Sequence, residues 1–437
     1  MIKNKKYILI FFLTFISLTL LGTLQIIDLD EIWTYGFSYN ISKGLIPYKD
    51  FNMVIGPLYS FVFSLFLYKN SLLIFKLTHI AIYSLIITLI YKKIDKKIIF
   101  IILLLYVQAT MFMYNAFTAM LVVLILYLLD SNNKHKEIFI GLIIGFIIMT
   151  KHNVGITLLL VYLITSKNKL KALTSFLLPV IITIIVLIIN HSFFDYINFC
   201  YLGLGNFFDN LSIDPLATII SIVYIIYLLK TYIKEKDIKI LYLFAYLFIL
   251  IPLIEGVHLL IFTIPFAYYV LVKNDNKKII TTMIKTIAIT GSIINSINLY
   301  NRTELVLDNN YLKYSIMIKG TSNYLYNYSK YINNIEGNVY LLLKDAYLIK
   351  LYNNNTLTFY DLINKGNLGK DEYKYIKIMD KECKKTKCTI ILDKLYYKNK
   401  KETEKKQLLE NLKKHITENY QYIETLPSDD RVYSNNK

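Results

Sequence analysis

The feature that most restricts how this chain can fold is the recurrence of apolar runs, each ended by a short polar break. They lie at about 7–24, 71–91, 97–114, 116–130, 137–150, 153–166, 171–190, 215–233, 238–254, 257–272 and 278–297. A bilayer core is crossed by about 20 apolar residues in a helix, because every backbone polar group must be paired inside the segment. With 55% of its 437 residues hydrophobic, a soluble version of this chain would have little polar surface for water. The expected fold is therefore mainly α, a polytopic membrane protein with about 11 transmembrane helices.

The polar breaks orient the threading. Lys3, Lys5 and Lys6 precede the first run. They resemble the start of a signal peptide, but no small-x-small cleavage site follows, so a retained helix with a cytoplasmic N-terminus is expected. Alternating from there puts Lys92–Lys97, Lys134–Lys136, Lys167–Lys171, Lys230–Lys239 and Lys273–Lys278 all in the cytoplasm, as the positive-inside rule requires. Two choices make this work. Residues 56–68 are too short to cross and are read as a helix lying at the outer surface or partly inserted, capped at its start by Pro57. Residues 137–166 are read as two spans meeting at Lys151-His152-Asn153, since one long helix would bury that charge in mid-bilayer. The net charge of +18 thus reads as orientation signals and a Lys-rich C-terminal third. Nucleic acid is not expected as a partner, since no recognition motif accompanies the charge.

The breaks without Lys clusters then share the outer side: the loop from Asp28 to Asp50, Tyr114-Asn115, Lys151-His152-Asn153, His191 to Pro215, and Glu255-Gly256-Val257-His258. Acids beside hydrocarbon are costly and mark function by default. Asp30 and Glu31 are the candidate catalytic pair. Lys151, His152, His258, Lys49, Asp50 and Asn115 are the candidate substrate-binding residues. Should a divalent metal ion take part, Asp28 and Glu255 are its candidate ligands; no cofactor is otherwise implied. Plainer readings stand beside these: a helix-capping Glu31, a Lys151 that snorkels to headgroups, a turn-forming Glu255, and an Asp50 that holds its own loop. Trp33, Phe37 and Ile41 recur every four residues, predicting a helix with Asp30 as N-cap and Gly44 just past its end. Its aromatic face is expected to rest among lipid headgroups.

Past residue 300 the composition turns to Asn, Tyr and Lys. Asn338–Leu343 and Cys388–Asp393 read as buried strands, Tyr422–Leu426 as a further one, and Lys401–Tyr420 as a helix. The division expected is a multi-spanning domain over 1–300, with its first outer loop at 25–70, and a small extracytoplasmic α/β domain over 301–437. Cys383 and Cys388 either close a small disulfide loop in an exported domain or stay as free thiols.

Asp30-Glu31 in the first outer loop, then Gly44, Pro47-Tyr48-Lys49-Asp50-Phe51, and Gly56-Pro57 before a helix, resemble the pattern of the multi-spanning GT-C glycosyltransferases. The likeness is to the bacterial branch related to protein O-mannosyltransferases and lipid A aminoarabinose transferases. Thr150-Lys151-His152-Asn153-x-Gly155 and His258 are looser matches, and the resemblance spans roughly residues 1–300. It implies a cell-membrane enzyme transferring a sugar from a polyprenyl-phosphate donor to an external lipid, protein or cell-wall polymer, with Asp30 as base or acceptor-orienting carboxylate. One departure stands out: relatives often carry a second acid where this chain has Asn115. Two other classes compete, a transporter or flippase of lipid-linked saccharide and a non-catalytic envelope assembly subunit.

Overall fold

The computed structural model describes residues 2–23, 29–67, 72–91, 94–109, 112–203, 212–251, 253–273, 278–306, 315–318, 321–343, 346–352, 370, 373–397 and 412–435. It is mainly helical, with a small sheet near the C-terminus. The helices are α1 (Ile2–Thr23), α2 (Leu29–Ser42), α3 (Leu58–Ser64), α4 (Leu72–Ile90), α5 (Lys96–Gln108), α6 (Tyr114–Leu129) and α7 (Lys136–Ile148). There follow α8 (His152–Thr165), α9 (Lys169–Ile189) and α10 (Phe193–Ile197), which runs into a π-helical turn at Asn198–Leu202. Next come α11 (Pro215–Glu235), α12 (Ile238–Tyr246), α13 (Gly256–Val272) and α14 (Lys278–Arg302). Every apolar run contains a helix, and the polar breaks supply their caps: Asp95, Asn168, Asp214 and Asp237 each accept a backbone N–H from the first turn that follows.

Four helices, over Lys5–Gly22, Leu72–Ile90, Lys169–Ile189 and Pro215–Glu235, are long and apolar enough to cross a membrane. Their outer faces are bare hydrocarbon: Leu178, Ile182, Ile185 and Ile189 on α9 and Ile219, Ile222, Ile226 and Ile233 on α11 are exposed. Continuous apolar surface of this kind fits lipid rather than water. Inside the bundle, Gly141 and Gly145 of α7, four residues apart, let α9 approach closely. A Cβ on Gly145 would fall 2.3 Å from the Phe176 carbonyl oxygen, the small-residue packing common between membrane helices. Helix α13 is buried along nearly its whole length, from His258 to Leu271. Gln108 ties α5 to α14, donating to the Ala288 carbonyl at 2.8 Å and to Ser292 Oγ at 2.9 Å.

The short helix expected within 56–68 is α3, with Pro57 at its N-cap. Instead of lying on the surface it packs into the bundle, Tyr59 and Phe63 buried against His79 and Phe117; residue 68 lies outside the described residues. Residues 137–166 are two helices meeting at Lys151. The first-loop helix, α2, departs from expectation twice. It begins at Leu29, so Asp30 lies in its first turn instead of capping it. Its aromatic residues pack on protein. Tyr35 packs edge-on against Phe75 of α4, and Phe37 lies between Phe51 and Tyr347. Apart from Trp33, which is partly buried, residues 31–40 are buried. The aromatic stripe finds protein on two sides, so lipid is not needed to cover it.

Tyr347 belongs to the C-terminal part. Short strands β1 (Ser212–Ile213) and β2 (Leu253–Ile254) pair in parallel near the bundle's end. Then β3 (Thr303–Val306) and β4 (Ser315–Ile318) form an antiparallel hairpin. After α15 (Thr321–Asn333) come β5 (Asn338–Leu342), α16 (Ala346–Tyr352), α17 (Lys374–Cys383), β6 (Cys388–Leu392), α18 (Leu412–Asn419), β7 (Gln421–Thr425) and β8 (Arg431–Ser434). The last four strands make a sheet in the order β5-β6-β8-β7, parallel between β5 and β6 and antiparallel beyond. The strand expected at 388 lies in its buried centre, and the strand expected at 338 is one edge, buried over Tyr340–Leu342. The strand expected at 422 is the other, exposed edge, and residues 401–411 of the expected helix lie outside the described residues. Cys383 and Cys388 are joined in a disulfide.

Candidate functional site

Helix starts and one tight turn bring the polar breaks together. Lys151 sits at the α7–α8 turn, its amide donating to the Ile147 carbonyl at 2.7 Å. The Lys151 ammonium lies 5.4 Å from the centre of the Tyr114 ring, at the start of α6. Asp30 is near enough to act electrostatically on both Tyr114 and Lys151. Burial pushes the Lys151 ammonium down to about 8, against the opposing pull of the Asp30 carboxylate. The neighbouring His152 has its ring tilted against Tyr201, 5.1 Å between centres. His258, in the first turn of α13, is within electrostatic reach of Lys151, and its Nδ1 bonds Glu255 Oε1 at 3.0 Å. A carboxylate, an ammonium and two imidazoles thus share one end of the bundle.

The first loop is fastened to the same turn. Gly56 donates its amide to the Thr150 carbonyl and Leu58 donates to Met149, both at 3.0 Å. A side chain at position 56 has no room, since its Cβ would stand 2.2 Å from the Met149 carbonyl oxygen. Upstream, Asp50 Oδ2 accepts the Ile46 amide at 2.7 Å, and the buried Tyr48 donates its hydroxyl to the Ile55 carbonyl at 2.6 Å. Gly-x-x-Pro-Tyr-x-Asp-Phe is therefore a self-bonded loop, and Gly-Pro is its dock onto the turn that carries Lys151. On the other side of the turn, Asn153 Nδ2 donates to the Phe248 carbonyl at 3.1 Å, fixing the start of α8 to the segment after α12.

The remaining candidates divide. Asn115 is buried beside Tyr114, and its Oδ1 has no hydrogen-bond partner among the described residues. Lys49 is exposed, and Asp50 serves its own loop. Asp28 lies outside the described residues. Glu255 is engaged by His258, and among the described residues no three His, Cys, Asp or Glu side chains are grouped as a metal ion would need.

Glu31 does not join Asp30. It is buried against α4, with Oε1 3.1 Å from Lys76 Nζ and side-chain exposures of 1% and 2%. Removing one partner of such a pair costs about 3–5 kcal/mol, because the other stays charged and buried. Lys76, Tyr114 and Tyr201 were not among the site residues read from the sequence. Lys76 had a signal, a lone Lys inside an apolar run, which demands a partner. The two tyrosines had none beyond their polar neighbours.

Two contacts bring the C-terminal part to this end of the bundle. Tyr347 meets Phe37 of α2, and the Lys370 amide donates to Asn198 Oδ1 at 3.1 Å, three residues before Tyr201. At the far ends of the helices, the Lys-rich connections pair with one another: Lys239 with Asp130 at 2.9 Å, and Lys273 with Glu235. Searches of family models, of curated proteins and of solved structures find no match for this chain.

Proposed function

We propose that this chain is a polytopic membrane glycosyltransferase that moves a sugar from a polyprenyl-phosphate-linked donor to an acceptor hydroxyl on the extracytoplasmic side. The observation that carries the reading is the approach of Asp30 to Lys151, with His152 and His258 alongside. In the reaction the acceptor oxygen attacks the anomeric carbon and Asp30 takes the hydroxyl proton. The bond from that carbon to the phosphate oxygen breaks, and its electron pair leaves with the lipid phosphate. Lys151 offsets the charge gathered there, and a neutral His152 donates a hydrogen bond to it, while the N–H of His258 is held by Glu255. The exposed apolar faces of the long helices suit a polyprenyl chain approaching through the bilayer.

Two observations support the sidedness proposed here. The Lys-rich connections gather at the end opposite Asp30 and Lys151, which the positive-inside rule assigns to the cytoplasm. The disulfide belongs to the part that meets the Asp30 end, and disulfides persist outside the cytoplasm. In this reading all eleven apolar helices cross or re-enter the membrane, and the C-terminal α/β part faces the acceptor, whether lipid, protein or wall polymer.

The test uses purified protein in liposomes with labelled polyprenyl-phosphate sugar and an envelope extract as acceptor source. Label passing covalently to an acceptor is expected. Label that crosses the bilayer still attached to its lipid would favour a transporter or flippase instead, and neither event would leave an assembly role.

A further inference from the structure

The resemblance that singles out Asp30 pairs it with Glu31, yet the two carboxylates part company. Successive residues of an α-helix project about 100° apart, so a helix that buries Glu31 against α4 must turn Asp30 toward a different neighbour. That neighbour is the end of the bundle carrying Tyr114 and Lys151. Lys76 is not alone on its face of α4. One turn on, His79 is fully buried, donates Nδ1–H to the Phe75 carbonyl at 3.0 Å, and takes the Tyr59 hydroxyl of α3 on Nε2. The Lys76 ammonium also lies 5.1 Å from the centre of the Phe112 ring. One face of α4 therefore holds both outer helices by polar bonds set in aromatic surroundings.

We propose that Glu31 and Lys76 are a positioning pair, whose ion pair fixes the rotation and depth of α2 and so aims Asp30 at Lys151. Apolar packing alone would tolerate small rotations of α2, since Tyr35, Phe37 and Tyr39 offer aromatic surface over much of its circumference. A buried charge allows no such slip, because a displaced Glu31 leaves Lys76 charged and unmatched. Glu31 touches neither substrate in this mechanism, and its effect passes entirely through Asp30. As a role in catalysis the proposal rests on the glycosyltransferase reading; as a statement about α2 it does not.

The chain supplies a probe that needs no enzymatic activity. Trp33 is its single tryptophan and lies on α2 two residues beyond Glu31, its indole N–H enclosed without a partner among the described residues. Its emission and its quenching by acrylamide report how α2 is seated. Glu31→Gln and Lys76→Met are expected to red-shift the emission and increase quenching, Asp30→Asn to leave both unchanged, and the reversed pair Glu31→Lys with Lys76→Glu to return them toward the parent. In the transfer assay the single variants are expected to lower kcat about 100-fold, the scale of a 1 Å misplacement, with the donor KM within twofold. The reversed pair should recover at least a tenth of parental kcat. If the singles do not accumulate in the membrane, accumulation of the reversed pair supports the proposal in their place. A reversed pair no better than the singles in every readout overturns it. So does a Glu31→Gln that raises the donor KM with Trp33 unmoved, which would put Glu31 on the substrate. Should no variant or parent transfer sugar while the Trp33 pattern holds, the glycosyltransferase reading fails and the positioning pair stands.

Discussion

Gly56 donates its amide to the carbonyl of Thr150 across 3.0 Å, so the loop that follows Asp30 is bonded directly to the turn that carries Lys151. Two sequence elements nearly a hundred residues apart are thereby one structural unit. The space left for a side chain at position 56 is nil, with the Met149 carbonyl 2.2 Å from where Cβ would stand.

Gly56→Ala must push that turn away. Overpacking of this kind costs about 1–3 kcal/mol, and the shift falls on Lys151. The expected result is a lower thermal midpoint in detergent together with weaker donor binding, measured by titration with a labelled polyprenyl phosphate. A control substitution, Gly256→Ala, meets nothing within 4 Å and should leave both unchanged.

A pH dependence follows from Lys151. Burial holds its ammonium at about 8, below the free lysine value, so the cation is present at neutral pH and lost as pH rises through about 8. Donor binding and transfer should therefore fall on an alkaline limb near that value. Lys151→Arg keeps its charge across this range, and its activity, though reduced by the altered shape, should lack the limb. Rate profiles from pH 6 to 10 read the difference.

Much of the helical layout was legible in the sequence because apolar length and Lys position are strong local signals. The apolar runs, the turn at Lys151 and the short helix after Pro57 all reappear as helices or their boundaries. What could not be read was which side of α2 faces protein. The Trp33, Phe37 and Ile41 stripe has the same period whether it meets lipid or Tyr347, and Tyr347 lies more than three hundred residues away in sequence. The separation of Asp30 from Glu31 was hidden for the same reason. Its cause, Lys76, lies on another helix, where a single charge is masked by the hydrophobic run around it. In the sheet, β8 was missed because Arg431–Ser434 is short and polar at both ends, and its strand character comes from pairing with β6 and β7.

The disulfide gives a separate expectation for the C-terminal part. Cys383 and Cys388 are five residues apart, and closing so small a loop restricts the unfolded chain by about 2 kcal/mol. Reductant, or Cys383→Ser with Cys388→Ser, should lower the unfolding midpoint of this part. Alkylation followed by mass measurement should find Cys200 as the free thiol in unfolded, unreduced protein and all three cysteines after reduction.

Whether Asp30 takes the acceptor proton is decided by single-turnover transfer from a labelled polyprenyl-phosphate sugar in proteoliposomes. Parent protein and Asp30→Asn would be compared at saturating donor. Asp30→Asn is expected to bind donor as the parent does and to transfer about 100- to 10,000-fold more slowly, the usual worth of a positioned base. Transfer by Asp30→Asn at the parental rate would remove Asp30 from the role of base.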